Sequence, residues 1–463
     1  MKRALSPMRA GCAPILAWSF ALCAALAALA AHPVGATEDP AAAANATVDA
    51  DANSDALRGE VRLRHDSRAT RHAGPLAAAT SLSPGIAPVP RSASVAEAEL
   101  RGTWHAPAVA RTRTSLTGAA WLETERREQG GAHTTHSSAR LNEGFVAGDF
   151  GAWQASAGKK IVAWDIGHGF RPNDLVQQEP RRTLLALAQE GRPLIELEHY
   201  AQQSAAALVW VNPHHANAAP DAQRGAAESA LAVRGYLRDV GADWHAFGRW
   251  GRDTRASVGA ALAWVATEEL ELHASTRILQ RHTGWRIDPQ AGTAPVAANP
   301  WQQATLGRSA QGLLGGSWTG AGQISLLAEW WYDGTALADR EWGAWEARNR
   351  GLVAFASQSG LPRNLIEAGA GNLAWQATPF AADNLRRNNV FMRLAWQPAG
   401  WVVSLDALLT PSDRGHVITA AAQWQGERLR VNAAWRVYGG PADALFAMLP
   451  QRSAAVLAAA WAF

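Results

Sequence analysis

Hydrophobic and polar residues alternate along the chain from about residue 97 to its end, and a period of two predicts β-strands. In the segment 268–282, leucine, alanine and isoleucine occupy most alternate positions, while glutamate, histidine and arginine occupy the others. The segment 427–438 shows the same division, with arginines on the polar face. Beyond the first 36 residues, no stretch has 18 consecutive apolar residues, so we expect no membrane-spanning helix there.

Alternating strands fit either a soluble sandwich or an outer-membrane barrel, which differ in whether the apolar face meets a core or lipid. The strand-like segments are about 10 residues long, as a tilted membrane strand requires. Short breaks occur at 397–400 and 425–427, whereas long polar breaks occur at 212–227 and 288–300. Many of the 22 tryptophans lie in or near strand-like segments, often close to a turn, where an indole can reach the headgroup zone. These features favour the barrel.

The first residues have the pattern of an export signal. Lys2, Arg3 and Arg9 precede a largely apolar run from Ile15, and small residues end it before Thr37. We predict a cleaved signal peptide over residues 1–36; a membrane anchor is the alternative. Both cysteines of the chain, at positions 12 and 23, lie inside it. The exported chain would lack a disulfide scaffold, a cysteine-ligated zinc site and a thiol nucleophile.

Residues 37–95 are rich in Ala, Asp, Pro, Ser and Asn and show no long apolar periodicity. We predict a disordered periplasmic segment over 37–95, followed by the barrel over 96–463. Brief alternation from Glu60 to Arg64 leaves a strand as the alternative at that point.

The overall charge argues against a nucleic-acid partner. The sequence has 43 basic and 40 acidic residues, and removing the signal leaves 40 of each. Nucleic-acid binders need a net basic face.

The last segment indicates the class of barrel. Apolar residues occupy alternate positions up to Trp461, and the sequence ends on Phe463. This resembles the terminal strand that the barrel-assembly machinery recognises in Gram-negative outer-membrane proteins. The length from residue 96 onward corresponds to about 16–18 antiparallel strands at roughly 20–23 residues per strand and connection. A barrel of that size encloses an aqueous lumen.

One connection carries many charges of both signs. A strand up to Trp164 is followed by Gly167, Gly169 and Pro172, which break it. We predict that the segment 165–182 folds inward and narrows the lumen, where opposed charges would create a transverse field. The candidate residues are Lys159, Lys160, Asp165, His168, Arg171, Asp174, Glu179, Arg181 and Arg182. The alternative is that these charges pair with one another and brace the wall.

The run from Gly158 to Asp174 resembles the strand and inward loop of porin-like outer-membrane barrels, such as the alginate-export and phosphate-selective groups. That resemblance implies passage of small polar solutes or saccharides. No ladder of lysines accompanies it, which weakens a phosphate role. Further candidate lumen residues follow from the polar faces of later strands: Glu196, Glu198, Glu269, Glu271, Arg277, Arg393, Arg428, Arg430 and Arg436.

Other chemistry has weaker support. His214 and His215 lie in a polar loop, and we interpret them as solvated side chains rather than as metal ligands. We predict no metal and no cofactor. The segment 335–350 resembles a helix in a solvated external loop. The alternative function is an outer-membrane hydrolase of lipid or peptide, with Asp243 and His245 as the best candidate pair.

The sequence therefore predicts an all-β, antiparallel, up-and-down barrel of the Gram-negative outer membrane that acts as a channel without catalytic residues. Its expected partners are outer-membrane lipid, the assembly machinery through Trp461 and Phe463, and small solutes. A homotrimer is possible, because its apolar contacts would look like lipid-facing surface.

Overall fold

A computed structural model describes residues 56–86, 89–108, 112–129, 131–177, 184–185, 188–212 and 228–463. Its strands are β1 Ala56–Thr70, β2 Ser92–His105, β3 Thr112–Gln129, β4 Ala132–Phe150, β5 Trp153–Lys160, β6 Arg192–Tyr200, β7 Ser204–Val211, β8 Ala230–Asp239, β9 Ala242–Gly251, β10 Arg255–Val265, β11 Leu270–Leu279, β12 His282–Ile287, β13 Trp301–Leu306, β14 Ser309–Gly320, β15 Ile324–Asp333, β16 Asn388–Trp396, β17 Trp401–Thr410, β18 Gly415–Gln425, β19 Leu429–Gly439 and β20 Gln451–Ala462. Its α-helices are α1 Pro75–Leu82, α2 Asp339–Ala356, α3 Arg363–Trp375 and α4 Leu445–Met448, and short 3-10 turns lie at Pro289–Ala291, Ala321–Gln323 and Thr378–Ala381. None of the helices in these ranges has the length and apolar character needed to cross a membrane.

The strands form a closed antiparallel barrel. One 18-stranded sheet contains every strand except β12 and β13, which make a separate hairpin. β1 pairs with β2 on one side and with β20 on the other. The last residue completes this seam, because the backbone N–H of Gly59 donates to Phe463 O at 2.8 Å and Phe463 N donates to Gly59 O at 2.9 Å. The predicted all-β barrel is confirmed, at the upper limit of its strand range.

The two ends of the barrel differ in the length of their connections. One end, which we call the short-turn end, has only short connections between the described strands, at 106–111, 151–152, 201–203, 240–241, 266–269, 321–323, 397–400 and 426–428. The other end, the long-loop end, has the long connections at 71–91, 161–191, 212–229, 280–308, 334–387 and 440–450, besides short connections at 130–131, 252–254 and 411–414. The short and long breaks identified in the sequence therefore lie at opposite ends, as a barrel requires.

The two faces of the sheet differ in chemistry. Partners in register share a face, and across β6–β9 one such row is Ile195, Trp210, Leu231 and Trp250, all at least 42% exposed. These side chains form part of an apolar outer surface. At the short-turn end, this surface carries a ring of exposed tryptophans: Trp104, Trp153, Trp244, Trp264, Trp318, Trp396, Trp401 and Trp461. Trp121 departs from this pattern, since it is buried on the inner face, and Trp301 is buried at the long-loop end.

The prediction of disorder over 37–95 is wrong for the described residues 56–86 and 89–95. β1 begins at Ala56 and pairs along its length with β2 and β20, so the barrel does not start at residue 96. The polar composition misled because the inner face of β1 is charged, and the inside of a wide barrel does not require an apolar core. The alternation from Glu60 to Arg64 was a genuine strand signal. The predicted signal peptide and residues 37–55 lie outside the described ranges.

The long connections build a helical cap, formed by α2, α3, the 378–381 turn and α4. Trp342 and Trp345 are at most 2% exposed and pack with Phe380 in its core. The same cluster includes Val417 of β18 and contacts Tyr438 of β19, so the cap docks on the barrel wall. The helix predicted over 335–350 is present as α2, but the expected solvated loop is wrong, because the cap buries its apolar face.

Candidate pore constriction

The first part of the connection after β5, residues 161–177, folds into the barrel and follows its inner wall. Near its start, Val162 and Trp164 pack with Leu194 of β6, Val209 of β7 and Phe247 of β9. All of these residues are at most 6% exposed. Apolar burial thus turns the chain inward directly after β5 and lays it across the neighbouring strands. The predicted inward loop over 165–182 is thus confirmed for its described residues, 165–177.

Two aspartates give this inward segment its shape. Asp174 Oδ1 accepts hydrogen bonds from the backbone N–H groups of Trp164 and Asp165, each at 3.2 Å. Asp165 in return accepts from the N–H groups of Asn173 at 2.5 Å and Ile166 at 2.9 Å. This reciprocal pairing closes a tight hairpin over residues 165–174. Burial raises the pKa of the Asp165 carboxyl, against these hydrogen bonds, which favour the carboxylate.

The middle of the hairpin is fixed to β10 and β11. Ser275 Oγ donates to Asp165 Oδ1 at 2.8 Å, and Asn173 Nδ2 donates to Ser275 Oγ at 2.8 Å. Arg277 Nη1 donates to the carbonyl oxygen of Pro172 at 3.1 Å. Gly259 of β10 allows this approach, because a Cβ there would overlap the side chain of Asn173.

The tip of the hairpin reaches β14 and β15 on the far part of the wall. Glu329 of β15 accepts from His168 N at 2.8 Å and from Gly169 N at 2.6 Å. Its Oε1 also lies 2.9 Å from His273 Nε2, and both side chains are fully buried. A Cβ at position 169 would stand 2.9 Å from Glu329 Oε2, so glycine permits the contact. Burial lowers the pKa of His168, against the opposing effect of Glu329.

Several predicted constriction charges serve this bracing. Asp165, Asp174 and Arg277 are buried and bonded within or to the hairpin, and Arg171 Nε donates to Gly167 O at 2.7 Å. The two lysines are paired as well: Lys159 Nζ lies 2.5 Å from Glu190, and Lys160 Nζ lies 2.6 Å from Glu196. Glu179, Arg181 and Arg182 lie outside the described residues.

The remaining candidates are spread around the barrel. Arg430 pairs with Glu60 at 2.8 Å, Arg393 lies 3.6 Å from Asp406, and Arg436 Nε donates to Thr419 Oγ1 at 2.8 Å. Glu198 faces the lumen beside Lys160 at 3.8 Å, and Glu271 lies 3.7 Å from His273. Glu269 and Arg428 lie in turns at the short-turn end, where Glu269 accepts from Trp318 Nε1 at 3.2 Å. The structure therefore does not bring all predicted residues into one ring.

A set of charges on the inner faces of β1–β3 was not predicted from the sequence. We call it the charge ladder: Glu60, Arg62, Arg64, Asp66, Glu97, Glu99, Glu123, Glu125 and Arg127. Arg62 lies 2.7 Å from Glu60 and 3.4 Å from Glu97, and Arg64 lies 3.1 Å from Asp66. These residues lie on β1–β3, whereas the strands that hold the inward segment in the contacts above include β6, β7, β9, β11 and β15. The alternation of 60–64 was the signal that could have found them.

The protein matches no family model and no curated protein. Among solved structures, it is similar to a triple mutant of Rhodopseudomonas blastica porin, at 10% identity and a TM-score of 0.40. Another mutant of that porin aligns at 9% identity with a TM-score of 0.41. Each alignment covers 89% of this chain and 100% of the other. Likenesses this weak assign neither family nor function to this chain.

Proposed function

We propose that this chain is a channel of the Gram-negative outer membrane that passes small polar or charged solutes, saccharides among them. One observation carries the proposal: a closed barrel with an apolar, tryptophan-ringed exterior has an interior lined by acidic and basic side chains. An exterior of that kind suits lipid, whereas paired charges on the inner wall suit water. Strands β5–β11 and β14–β20, of 8 to 12 residues, have the length needed to cross a bilayer when tilted.

The inward hairpin is the proposed constriction. The hairpin extends from β5 to β15 along the wall. The charge ladder lies on other strands, so that the ladder and the hairpin face the same lumen. In this proposal the bonded aspartates keep the segment in place, and the ladder supplies most of the field that permeants meet.

Export and assembly form part of the same proposal. Residues 1–36 would direct export and be removed, and Trp461 with Phe463 would present the terminal strand to the assembly machinery. A homotrimer would use part of the apolar exterior.

A barrel hydrolase is the second candidate, and the geometry around Asp243 and His245 does not favour it. His245 Nδ1 lies 3.3 Å from Arg234 Nη2, and Asp243 accepts from Tyr236 at 2.7 Å. Their described contacts therefore go to an arginine and a phenol rather than to each other and a serine.

The test is conductance of the purified full-length protein in a planar bilayer. We expect discrete open steps, and larger steps when residues 166–173 are replaced by two glycines. Steps of unchanged size in a variant that retains its barrel circular dichroism would reject the constriction. An absence of steps would reject the channel, and lipase and protease assays would then test the hydrolase.

A further inference from the structure

A trench with an alanine floor lies on the inner wall near the short-turn end. Ala207 of β7 stands opposite Glu198 of β6 on one side and Arg234 of β8 on the other. Two residues along β7, Ala205 stands between Tyr200 and Tyr236 in the same way. Short side chains on the central strand and long ones on both neighbours leave a cavity of about 330 Å³ lined by these residues. That volume lies within the range of small-molecule sites.

The β6 side of the trench is negatively charged. Lys160 Nζ lies 2.6 Å from Glu196 and 3.8 Å from Glu198. Two carboxylates thus share one ammonium, and the more distant one, Glu198, lines the cavity.

The β8 side is positively charged, because Arg234 lines the same cavity. Within the described ranges, no carboxylate lies at ion-pair distance from its guanidinium, and its buried Nε has no hydrogen-bond partner. Its contacts are His245 Nδ1 at 3.3 Å and the ring of Tyr236, 5.8 Å from Cζ. The guanidinium of Arg234 is therefore available to donate hydrogen bonds to an oxyanion.

Glu198 and Arg234 thus carry opposite charges on the two sides of β7, and they form no ion pair with each other. Their backbones are two strand spacings apart, roughly 9–10 Å, and no side chain of the floor fills the gap. A ligand that carries both charges on adjacent groups would satisfy both walls, whereas a simple anion at Arg234 would be repelled by Glu198.

We propose that this trench binds a small zwitterion, an α-amino acid with an aromatic or apolar side chain. Its carboxylate would bind the guanidinium of Arg234, and its ammonium would bind the carboxylate of Glu198. Its side chain would lie between the rings of Tyr200 and Tyr236, where aromatic contact adds to the burial of apolar surface. The proposal deepens the channel function by naming a solute class, and it rests on that function only for the role of binding in transport.

Calorimetric titration of the purified full-length barrel in detergent tests this site. The probes are L-phenylalanine, 3-phenylpropionate and phenethylamine, which carry both charges, only the carboxylate and only the ammonium. We expect L-phenylalanine to bind at least about ten-fold more tightly than either partial probe, as loss of one charge-assisted contact predicts. Equal affinities of L-phenylalanine and 3-phenylpropionate would indicate a simple anion site and overturn the proposal.

Two charge-neutral variants give opposite signatures. Arg234→Gln should weaken L-phenylalanine about ten-fold or more while phenethylamine keeps or gains affinity. Glu198→Gln should weaken L-phenylalanine similarly while 3-phenylpropionate keeps or gains affinity. Either variant suffices if the other fails to fold. Arg363→Gln is the matched control, because it removes the same charge from the exposed surface of helix α3, and it should change no affinity by more than about two-fold. An equal loss in that control would overturn the assignment to the trench.

Conductance separates the failure of this proposal from the failure of the channel. Binding with the expected signatures in a protein that forms no open steps would support the trench and reject the channel. Open steps in a protein that binds none of the three probes would support the channel and overturn the trench.

Discussion

Carboxylates inside this barrel occur in two settings. At the inward hairpin, Asp165, Asp174 and Glu329 accept hydrogen bonds from backbone N–H groups and are at most 8% exposed. In the charge ladder, Glu60 is paired with the side chain of Arg62, and the two side chains are 29% and 20% exposed. The hairpin carboxylates hold a chain path in place, whereas Glu60 and Arg62 form an ion pair that is accessible from the lumen.

The difference predicts different consequences of mutation. When a buried carboxylate is removed, all the groups that donated hydrogen bonds to it are left without an acceptor. This lowers the free energy of unfolding substantially. An ion pair beside water has little net stability, because water replaces each partner. Hairpin variants should therefore affect folding and conductance together, whereas ladder variants should affect selectivity alone.

The largest effect is expected for Glu329→Gln. This change places an amide donor among the N–H groups of His168 and Gly169 and removes the charge beside buried His273. Loss of one partner of a buried pair costs about 3–5 kcal/mol. We expect a lower unfolding midpoint in denaturant and faster protease cleavage within residues 161–177.

Glu125→Gln is the control for that change. Glu125 belongs to the ladder and pairs with Arg127 at 2.8 Å, an arginine whose side chain is 45% exposed. Its loss should lower the free energy of unfolding by about 1 kcal/mol or less. Comparable losses in both variants would remove the distinction between the two settings.

A smaller effect is expected for Gly259→Val, which adds a side chain where β10 meets the hairpin. The new Cβ would overlap Asn173, and it would also stand 2.7 Å from the carbonyl oxygen of Thr276. Overpacking of this kind typically costs about 1–3 kcal/mol, and displacement of the hairpin should also alter the single-channel conductance.

Gly235→Val provides the comparison, because nothing lies within 4 Å of a Cβ at that position on β8. We expect its unfolding midpoint and conductance to match the wild type. A conductance change in Gly235→Val equal to that in Gly259→Val would show that the hairpin contact is not responsible.

The sequence predicted the barrel and the inward segment because both depend on local patterns. Alternation of residue types predicts strands, and the glycines at 167 and 169 mark a break in that pattern, although β5 already ends at Lys160. The sequence could not predict which charged side chains are exposed to the lumen and which are bonded to the hairpin. Asp165 and Glu329 are far apart in sequence, and their shared role depends on the path of the hairpin across several strands.

The start of the barrel was missed for a related reason. The amino-acid composition of 37–95 combines that of β1 with that of the polar connection after it. The charged residues on the inner face of β1 also give this strand a composition like that of a disordered segment. The trench on β6–β8 was also invisible, because an alanine at 205 or 207 signals nothing until the register places it between two tyrosines or two charges.

Acidic conditions should loosen the hairpin tip through His168. Burial lowers the pKa of this imidazole in the folded protein, so folding favours its neutral form. The contribution to stability is present above the unfolded pKa near 6.5 and is lost as the pH falls through it toward the lower folded pKa. Protease cleavage of the segment should therefore accelerate between pH 7 and pH 5, and less so in His168→Gln.

His133→Gln is the control for this pH dependence, because His133 lies at an exposed position of β4. It should keep the wild-type pH dependence. An unchanged dependence in His168→Gln would contradict the assignment to His168.

The smallest effect on stability, and the clearest on selectivity, is expected for Arg64→Gln. Arg64 lies 3.1 Å from Asp66 and 3.7 Å from Glu97, and its loss leaves both carboxylates facing the lumen with less positive charge beside them. We expect a smaller loss in the free energy of unfolding than for Glu329→Gln, and we expect the reversal potential in a KCl gradient to shift toward cation selectivity. Arg363→Gln removes an equal charge from helix α3, where the side chain is 91% exposed, and should leave the reversal potential unchanged. Equal shifts in the two variants would mean that the net charge of the protein, rather than the ladder, sets the selectivity. A shift confined to Arg64→Gln would place the selective field on the wall that the hairpin leaves free.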